Sequence, residues 1–257
     1  MFIKISDRLS YIDYKDYQQG GIILRKKNNM LWVGDIHGNI DKLRAFLAYK
    51  SDLSHGFTGD LVDSFNQPNE NMVACLTTAI KSDALLLYGN HDLQYRIFAP
   101  YRCSGFRTSI ADKLQEIIVK NQDRFQIAWS DGLHIATHAG IHPKLKYCDD
   151  PQDQVYFLNR DFKKYLITGN GDNPIFYIGS SRNGRHPYPG PLWLDYTKDT
   201  LDDTWPQIFG HTPYGIVTIP RPDDVAHPEI PHICLDNEHQ KGRVCYNTET
   251  HQTEDFS

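Results

Sequence analysis

From residue 30 onward, apolar positions alternate between two spacings. Residues 30–33 form a short, continuous apolar run, the pattern of a buried strand. Leu43, Phe46 and Leu47 then recur at the spacing of one helix face. Gly56, Phe57 and Thr58 lead into a Gly-Asp pair, and Met72, Cys75, Leu76 and Ala79 mark a second amphipathic helix. Residues 84–88 are again continuously apolar. This β-α-β-α-β rhythm predicts a largely parallel sheet covered by helices.

The second half is less regular. Residues 109–122 predict a helix, and residues 125–129 and 133–137 predict strands around a turn at Ser130, Asp131 and Gly132. Residues 155–166 predict another helix. Residues 180–191 collect Gly, Arg, His, Tyr and Pro, the composition of a long loop. Short strands then recur at Ile208 and Phe209 and over residues 215–219, 232–235 and 244–246, with no helix between them. The expected fold class is α/β, two stacked mixed β-sheets flanked by helices. No repeat, low-complexity tract or linker divides the chain, so residues 1–257 are expected to form a single domain.

Composition narrows the function. At 40 % apolar and 23 % charged residues, the chain has the balance of a soluble globular protein. Its net charge is −5 and its longest basic run is Arg25-Lys26-Lys27, so no stable nucleic-acid partner is expected. The five cysteines are scattered, odd in number and never spaced C-x-x-C, which argues against a zinc ribbon or disulfide framework and fits a reducing compartment. Residues 1–8 lack an apolar signal core, and no apolar run is long enough for a membrane span. A cytoplasmic protein with no membrane partner is expected; oligomeric state is left open.

The chemistry lies in five blocks: Gly34-Asp35-Ile36-His37-Gly38-Asn39, Gly59-Asp60-Leu61-Val62-Asp63, Gly89-Asn90-His91-Asp92, His138-Ala139-Gly140 and Gly210-His211-Thr212. Most follow an apolar run, which can gather their donors at one edge of a sheet. Asp35 and His37 are two apart, so an extended backbone points both the same way. Asp60 has two oxygens and can bridge two metals, Asn90 offers a neutral oxygen, and His138 and His211 offer imidazole nitrogen. Such a mixed set suits Mn²⁺, Fe or Zn²⁺ better than Ca²⁺. Two such ions can lower the pKa of a water between them and neutralise a phosphate. A single block is commonly a turn; five in this order point to a dinuclear centre. His55, His134, His186, His227, His232, His239 and His251 read as structural or solvated, and His142 fits no block. Trp129, Trp193 and Trp205 read as core, the tyrosines as sheet packing, and Asp149-Asp150 as a turn.

The series D-x-H, G-D-x-x-D, G-N-H-D, a later His and G-H-T resembles the calcineurin-like metallophosphoesterases over residues 31–213. The first block, Thr137-His138-Ala139-Gly140 and Gly210-His211-Thr212-Pro213 are most similar to the branch of serine/threonine protein phosphatases, phage phosphatases and diadenosine tetraphosphatases. Pro191-Leu192-Trp193-Leu194-Asp195 adds a Leu-Trp-x-Asp match. The resemblance implies two divalent metal ions, Mn²⁺ foremost and Fe or Zn²⁺ as alternatives. It assigns Asp35, His37 and Asp60 to the first ion, and the bridging Asp60 with Asn90, His138 and His211 to the second. It makes His91 the proton donor to the leaving oxygen, with Asp63 orienting it, and lets a metal-bridging water attack with no phospho-enzyme.

One position departs from the branch: Ser64 stands where a phosphate-clamping Arg usually follows G-D-x-V-D. Because a guanidinium matches phosphate oxygens, a substitute is expected. Arg96, Arg182 and Arg185 are candidates. Arg182 and Arg185 are preferred because they precede the Leu-Trp-x-Asp segment, where the family often keeps a second phosphate-binding Arg. The expected function is hydrolysis of phosphomonoesters, on a phosphoprotein or small phosphorylated compound. The alternatives are a dinucleoside polyphosphate hydrolase of the diadenosine tetraphosphate type and, from another class, a non-catalytic protein-binding scaffold. The enzymatic partner is thus a phosphorylated protein, small molecule or nucleotide.

Overall fold

The computed structural model describes residues 29–237 and 242–256. Residues 1–8, the Arg25-Lys26-Lys27 run and His239 lie outside the described residues. In chain order, β1 (Met30–Val33) is followed by α1 (Ile40–Ala48), β2 (Ser54–Phe57), α2 (Asn69–Lys81), β3 (Leu85–Leu87), the single-turn α3 (Asn90–Leu93), α4 (Ala111–Lys120) and β4 (Phe125–Gln126). Then come β5 (Ala128–Ser130), β6 (Ile135–Thr137), α5 (Pro151–Thr168), β7 (Gln207–Phe209), β8 (Val217–Ile219), β9 (His232–Cys234), β10 (Val244–Asn247) and β11 (Gln252–Asp255).

These strands form two mixed sheets. The first runs β11-β10-β1-β2-β3-β4, with β1 to β4 parallel and β10 and β11 added antiparallel. The second runs β5-β6-β7-β9-β8, with β6, β7 and β9 parallel between antiparallel edges. The two-residue period of each strand separates the cores. Met30 and Trp32 pack with Trp129, Ala136, Ile208 and Ile233 between the sheets, and the Trp32 and Trp129 rings lie 5.2 Å apart. Leu31 and Val33 face the opposite way, into the cluster holding Leu43, Phe46, Met72 and Leu76 of α1 and α2. The α/β sandwich expected from the sequence is therefore observed. On the outer face of the second sheet, Phe209 and Cys234 are covered by Leu194 and Leu201 from an irregular segment, and α5 packs on β5. No helix among the described residues is long and apolar enough to cross a membrane.

Four differences from the sequence reading have local causes. The run expected as one strand over 125–129 is divided: β4 joins the first sheet and β5 the second. The chain crosses between them at Ile127, where Asn159 of α5 accepts from the Ile127 and Ala128 backbone nitrogens at 3.0 and 3.3 Å. Second, α5 starts earlier than expected, because Asp150 caps it by accepting from Gln152 and Asp153 nitrogens and Pro151 fits the first turn. Third, α4 is shorter than 109–122 and is flanked by 3₁₀ turns. Fourth, β11 is a polar edge strand with no apolar alternation; it exists through its pairing with β10.

Candidate functional site

The five blocks end up just past the carboxyl ends of strands: Asp35 after β1, Asp60 after β2, Asn90 after β3, His138 after β6 and His211 after β7. Both sheets deliver their parallel strands to this edge, where open α/β sheets bind ligands.

Asp60 is the hub. Its Oδ2 lies 3.7 Å from His37 Nε2 and 3.4 Å from His138 Nε2, and its Oδ1 accepts from the His91 backbone nitrogen at 2.9 Å. Asp35 Oδ2 is 3.6 Å from His37 Nε2, and the same carboxylate accepts from His211 N. His138 Nε2 is 2.9 Å from Asn90 Oδ1 and 3.1 Å from His211 Nδ1. The result is two groups of metal-capable donors that share Asp60: Asp35, His37 and Asp60, then Asp60, His138 and His211. Within each group the donor atoms lie within 4.8 Å of one another.

The ring orientations fit a cation. His37 Nδ1 donates to Asp63 O at 2.6 Å, and His138 Nδ1 donates to Thr58 O at 3.0 Å. Carbonyl oxygens only accept, so these bonds fix the tautomer that leaves Nε2 facing the cluster. His211 Nε2 is buried without a hydrogen-bond partner among the described residues. Burial works against the Asp60 charge, yet His138, His91 and His37 hold its carboxyl well below the usual range. Burial would lower His138, but the Asp60 carboxylate outweighs it and raises the imidazole to about 9. Burial and the neighbouring His138 push His211 well down. The carboxylates thus favour positive charge at the position of the cluster, the charge a bound cation would supply. Backbone strain marks the same place: His37, Asp60, Asp63 and His211 have φ of 44°, 50°, 62° and 72°. Non-glycine residues held there cost about 1–3 kcal/mol each, and such strain concentrates at functional sites.

A cleft of about 240 Å³ opens over this centre, lined in part by His37, Asp60, Asn90, His91, Arg182 and His211. His91 Nδ1 lies 3.1 Å from Asp63 Oδ2. Arg182 donates from Nη2 to Thr212 Oγ1 at 2.9 Å, with Nε 3.6 Å from Asp195 Oδ2. Arg185 is exposed and does not line the cleft. Arg96 is buried outside it and donates to Gln122 Oε1 at 2.5 Å. Other histidines serve elsewhere: His55 bonds Tyr49 O, His134 pairs with Asp131, His232 with Asp203, and His186 stacks on Tyr177.

Several cleft residues have no place in the sequence blocks. Asp236 lines the cleft just past β9. It follows an apolar run as Asp35 does, and that repeated pattern could have found it. Trp193, expected in the core, does pack against the core cluster but also lines the cleft, its ring 5.7 Å from His211. Cys103 lines it too, and Asn90 Nδ2 donates to its Sγ at 3.4 Å.

A family model described as calcineurin-like phosphoesterase matches residues 29–239. Among solved structures, the chain is similar to a cold-active protein-tyrosine phosphatase of a psychrophilic Shewanella species, at 16 % identity and a TM-score of 0.54, covering 89 % of this chain and 80 % of that one. It is also similar to a putative diadenosine tetraphosphatase, at 16 % identity, a TM-score of 0.43 and coverage of 88 % and 91 %. A serine/threonine phosphatase from Saccharomyces cerevisiae follows at 13 % identity, a TM-score of 0.44 and coverage of 80 % and 66 %. None of the curated proteins matches the chain significantly. At these identities the first likeness speaks for the fold alone. The family match spans most of the chain and both donor groups, so the chain belongs to the calcineurin-like phosphoesterase family and is a phosphoester hydrolase.

Proposed function

We propose that this chain is a cytoplasmic phosphomonoesterase dependent on two divalent cations, Mn²⁺ foremost, acting on a phosphoprotein or small phosphorylated compound. The observation that carries the reading is the pair of donor groups sharing Asp60 beneath the same cleft as the His91–Asp63 pair. Asp35, His37 and Asp60 would hold one ion, and Asp60, Asn90, His138 and His211 the other. When bound, such ions would neutralise the phosphoryl oxygens and make water a better nucleophile at neutral pH.

The remaining work falls to the chain's own residues. His91 Nδ1–H is held by Asp63, which leaves Nε2 to give a proton to the leaving oxygen. Arg182 offers its fork to phosphate oxygens, steadied by Asp195 and Thr212. A second cavity of about 230 Å³ shares His37 and Ser64 with the first and is lined by Asn39, Asn66, Gln67 and Arg243. That polar extension supports the second reading, a dinucleoside polyphosphate hydrolase. Against it, the rings of the long loop are taken up by neighbours outside the loop: His186 stacks on Tyr177 at 4.0 Å and Tyr188 on His142 at 5.5 Å. The long loop therefore supplies no stacking ring to the cleft, whose aromatic rings other than histidine are Phe65 and Trp193.

Free thiols at all five cysteines support a reducing location. The test is to strip metal, add back Mn²⁺, and follow p-nitrophenyl phosphate, a phosphopeptide and diadenosine tetraphosphate side by side. Metal-restored release of phosphate from the monoesters is expected. Preferential cleavage of the dinucleotide would select the second reading. A protein that neither binds metal nor hydrolyses any of the three would overturn both.

A further inference from the structure

Behind the His91–Asp63 pair, every oxygen of the carboxylate is spoken for. Asp63 is 1 % exposed. Its Oδ1 accepts from the Tyr95 hydroxyl, while Oδ2 accepts from Gln94 Nε2 as well as from His91 Nδ1. These two donors are themselves held. Tyr95 Oη accepts from Arg107 N at 2.9 Å, and its ring stacks on Phe106 with centroids 4.9 Å apart. Gln94 Oε1 accepts from Cys103 N at 2.8 Å, which dictates that the amide nitrogen is the end facing Asp63. Burial and the adjacent Asp63 hold the Tyr95 hydroxyl above its ordinary range, so it remains a donor. Arg107 also donates from Nη2 to Ser64 O, gripping the backbone right after Asp63. Residues 94–107 therefore close as a clasp around the Asp63–Ser64 turn, whose first residue sits at φ 62°.

We propose that Gln94 and Tyr95 are positioning residues for proton transfer. They fix the Asp63 carboxylate and, through it, the plane of the His91 ring. The inference rests on the reading of His91 as the acid. In that step the P–O bond breaks, its electron pair moves to the leaving oxygen, and that oxygen takes the proton from His91 Nε2. The attacking water places its oxygen on phosphorus, and the proton it loses restores His91.

A carboxylate bonded to His91 alone is free to turn about its terminal torsion and carry the ring with it. Donors on both oxygens remove that freedom. Acid catalysis works only within hydrogen-bond reach of the leaving oxygen, so lost alignment costs proton delivery. Neither side chain bonds a metal-donor side chain, so the two functions are separable by experiment.

Tyr95→Phe and Gln94→Met each remove one donor to Asp63, together with the acceptor for Arg107 N or Cys103 N, and keep the bulk. The metal-loaded variants, wild type and His91→Ala are compared on phosphate monoesters whose leaving groups run from p-nitrophenol to a simple alkyl alcohol. For the alkyl ester, kcat is expected to fall about tenfold in each variant, the worth of one hydrogen bond. For p-nitrophenyl phosphate it should change less than about twofold, because a good leaving group needs little protonation. KM and metal content should not move. Tyr165→Phe is the control for a purely structural hydroxyl, since that group donates to Phe98 O at 3.0 Å outside the cleft. It should lower Tm and leave the leaving-group dependence unchanged. An equal loss on all esters, or one that traces to KM or metal content, overturns the inference while His91→Ala keeps its own leaving-group signature. If His91→Ala itself slows good and poor leaving groups alike, the acid assignment falls and this inference falls with it.

Discussion

A Cβ added to Gly89 would lie 1.9 Å from Asp60 Oδ1. Gly210 stands in the same relation to Asp35, where the added atom would lie 2.0 Å from Oδ1. The glycines before Asn90 and His211 thus make room for carboxylates arriving from other strands. Neither backbone nor carboxylate is a flexible chain end that can swing away. Gly89→Ala is therefore expected to displace Asp60 and remove bound metal, beyond the ~1–3 kcal/mol typical of overpacking. Metal content after dialysis measures it; a variant with wild-type stoichiometry would contradict the packing argument.

Asp60→Asn tests the hub itself. The amide keeps the shape and one acceptor oxygen, but it loses the charge that both donor groups share. Two ions held by a common carboxylate should be lost together, so the expected result is little bound metal of either kind. Elemental analysis that finds one equivalent retained would assign Asp60 to a single ion, and two retained would remove it from the centre.

The blocks that the fold gathers were legible because most follow an apolar run, in most cases through a glycine, and that pattern survives in one dimension. Asp236 carries the apolar run without the glycine and so belongs to no block. The strand division at Ile127 was not legible, because it is set by Asn159, 32 residues away on another element. Nor was the support of Asp63 by Gln94 and Tyr95: nothing in the spacing says which polar side chains fold back onto a carboxylate. Arg182 and Arg185 are alike in composition and context. What separates them is the 3₁₀ turn Ser180–Arg182 and the left-handed Asn183 after it, which leave one residue lining the cleft and the other exposed. Trp193 shows a further limit, since a large ring can serve core and cleft at once.

The second sheet carries its own pH dependence. His232 is buried between β7 and its neighbours; its Nδ1 accepts from Gln207 N at 3.2 Å and its Nε2 donates to Asp203 Oδ1 at 2.9 Å. Burial lowers its pKa despite Asp203. The unfolded chain thus takes up a proton near pH 6.5 that the folded protein refuses until lower pH. The stabilisation is complete above that value and is lost as pH falls below it, at no more than about 1.4 kcal/mol per pH unit. Tm recorded from pH 8 to pH 5.5 should fall more steeply in the wild type than in His232→Gln. Parallel curves would mean that the imidazole is protonated in the folded state as well.

Arg182 offers the sharpest test of substrate binding. It lines the cleft, but it is also tied to Asp195 and Thr212, so its guanidinium is held in place before any phosphate arrives. Burial would raise the Asp195 carboxyl, yet Thr197 and then Arg182 bring it below the ordinary range, as expected of a carboxylate that stays charged beside the guanidinium. Arg182→Lys keeps the charge and loses the fork, so the partners that orient it no longer fit. The expected effect is a rise in KM of roughly tenfold, from the loss of one charge-assisted contact, with a smaller change in kcat. Asp195→Asn should raise KM in the same direction by loosening the arginine. Arg185→Ala should change neither constant, because that side chain is exposed outside the cleft. Steady-state kinetics on p-nitrophenyl phosphate decide it: a KM effect at Arg185 with none at Arg182 would reverse the assignment, and an effect at neither would send the search for the phosphate clamp to Arg243 in the adjoining cavity.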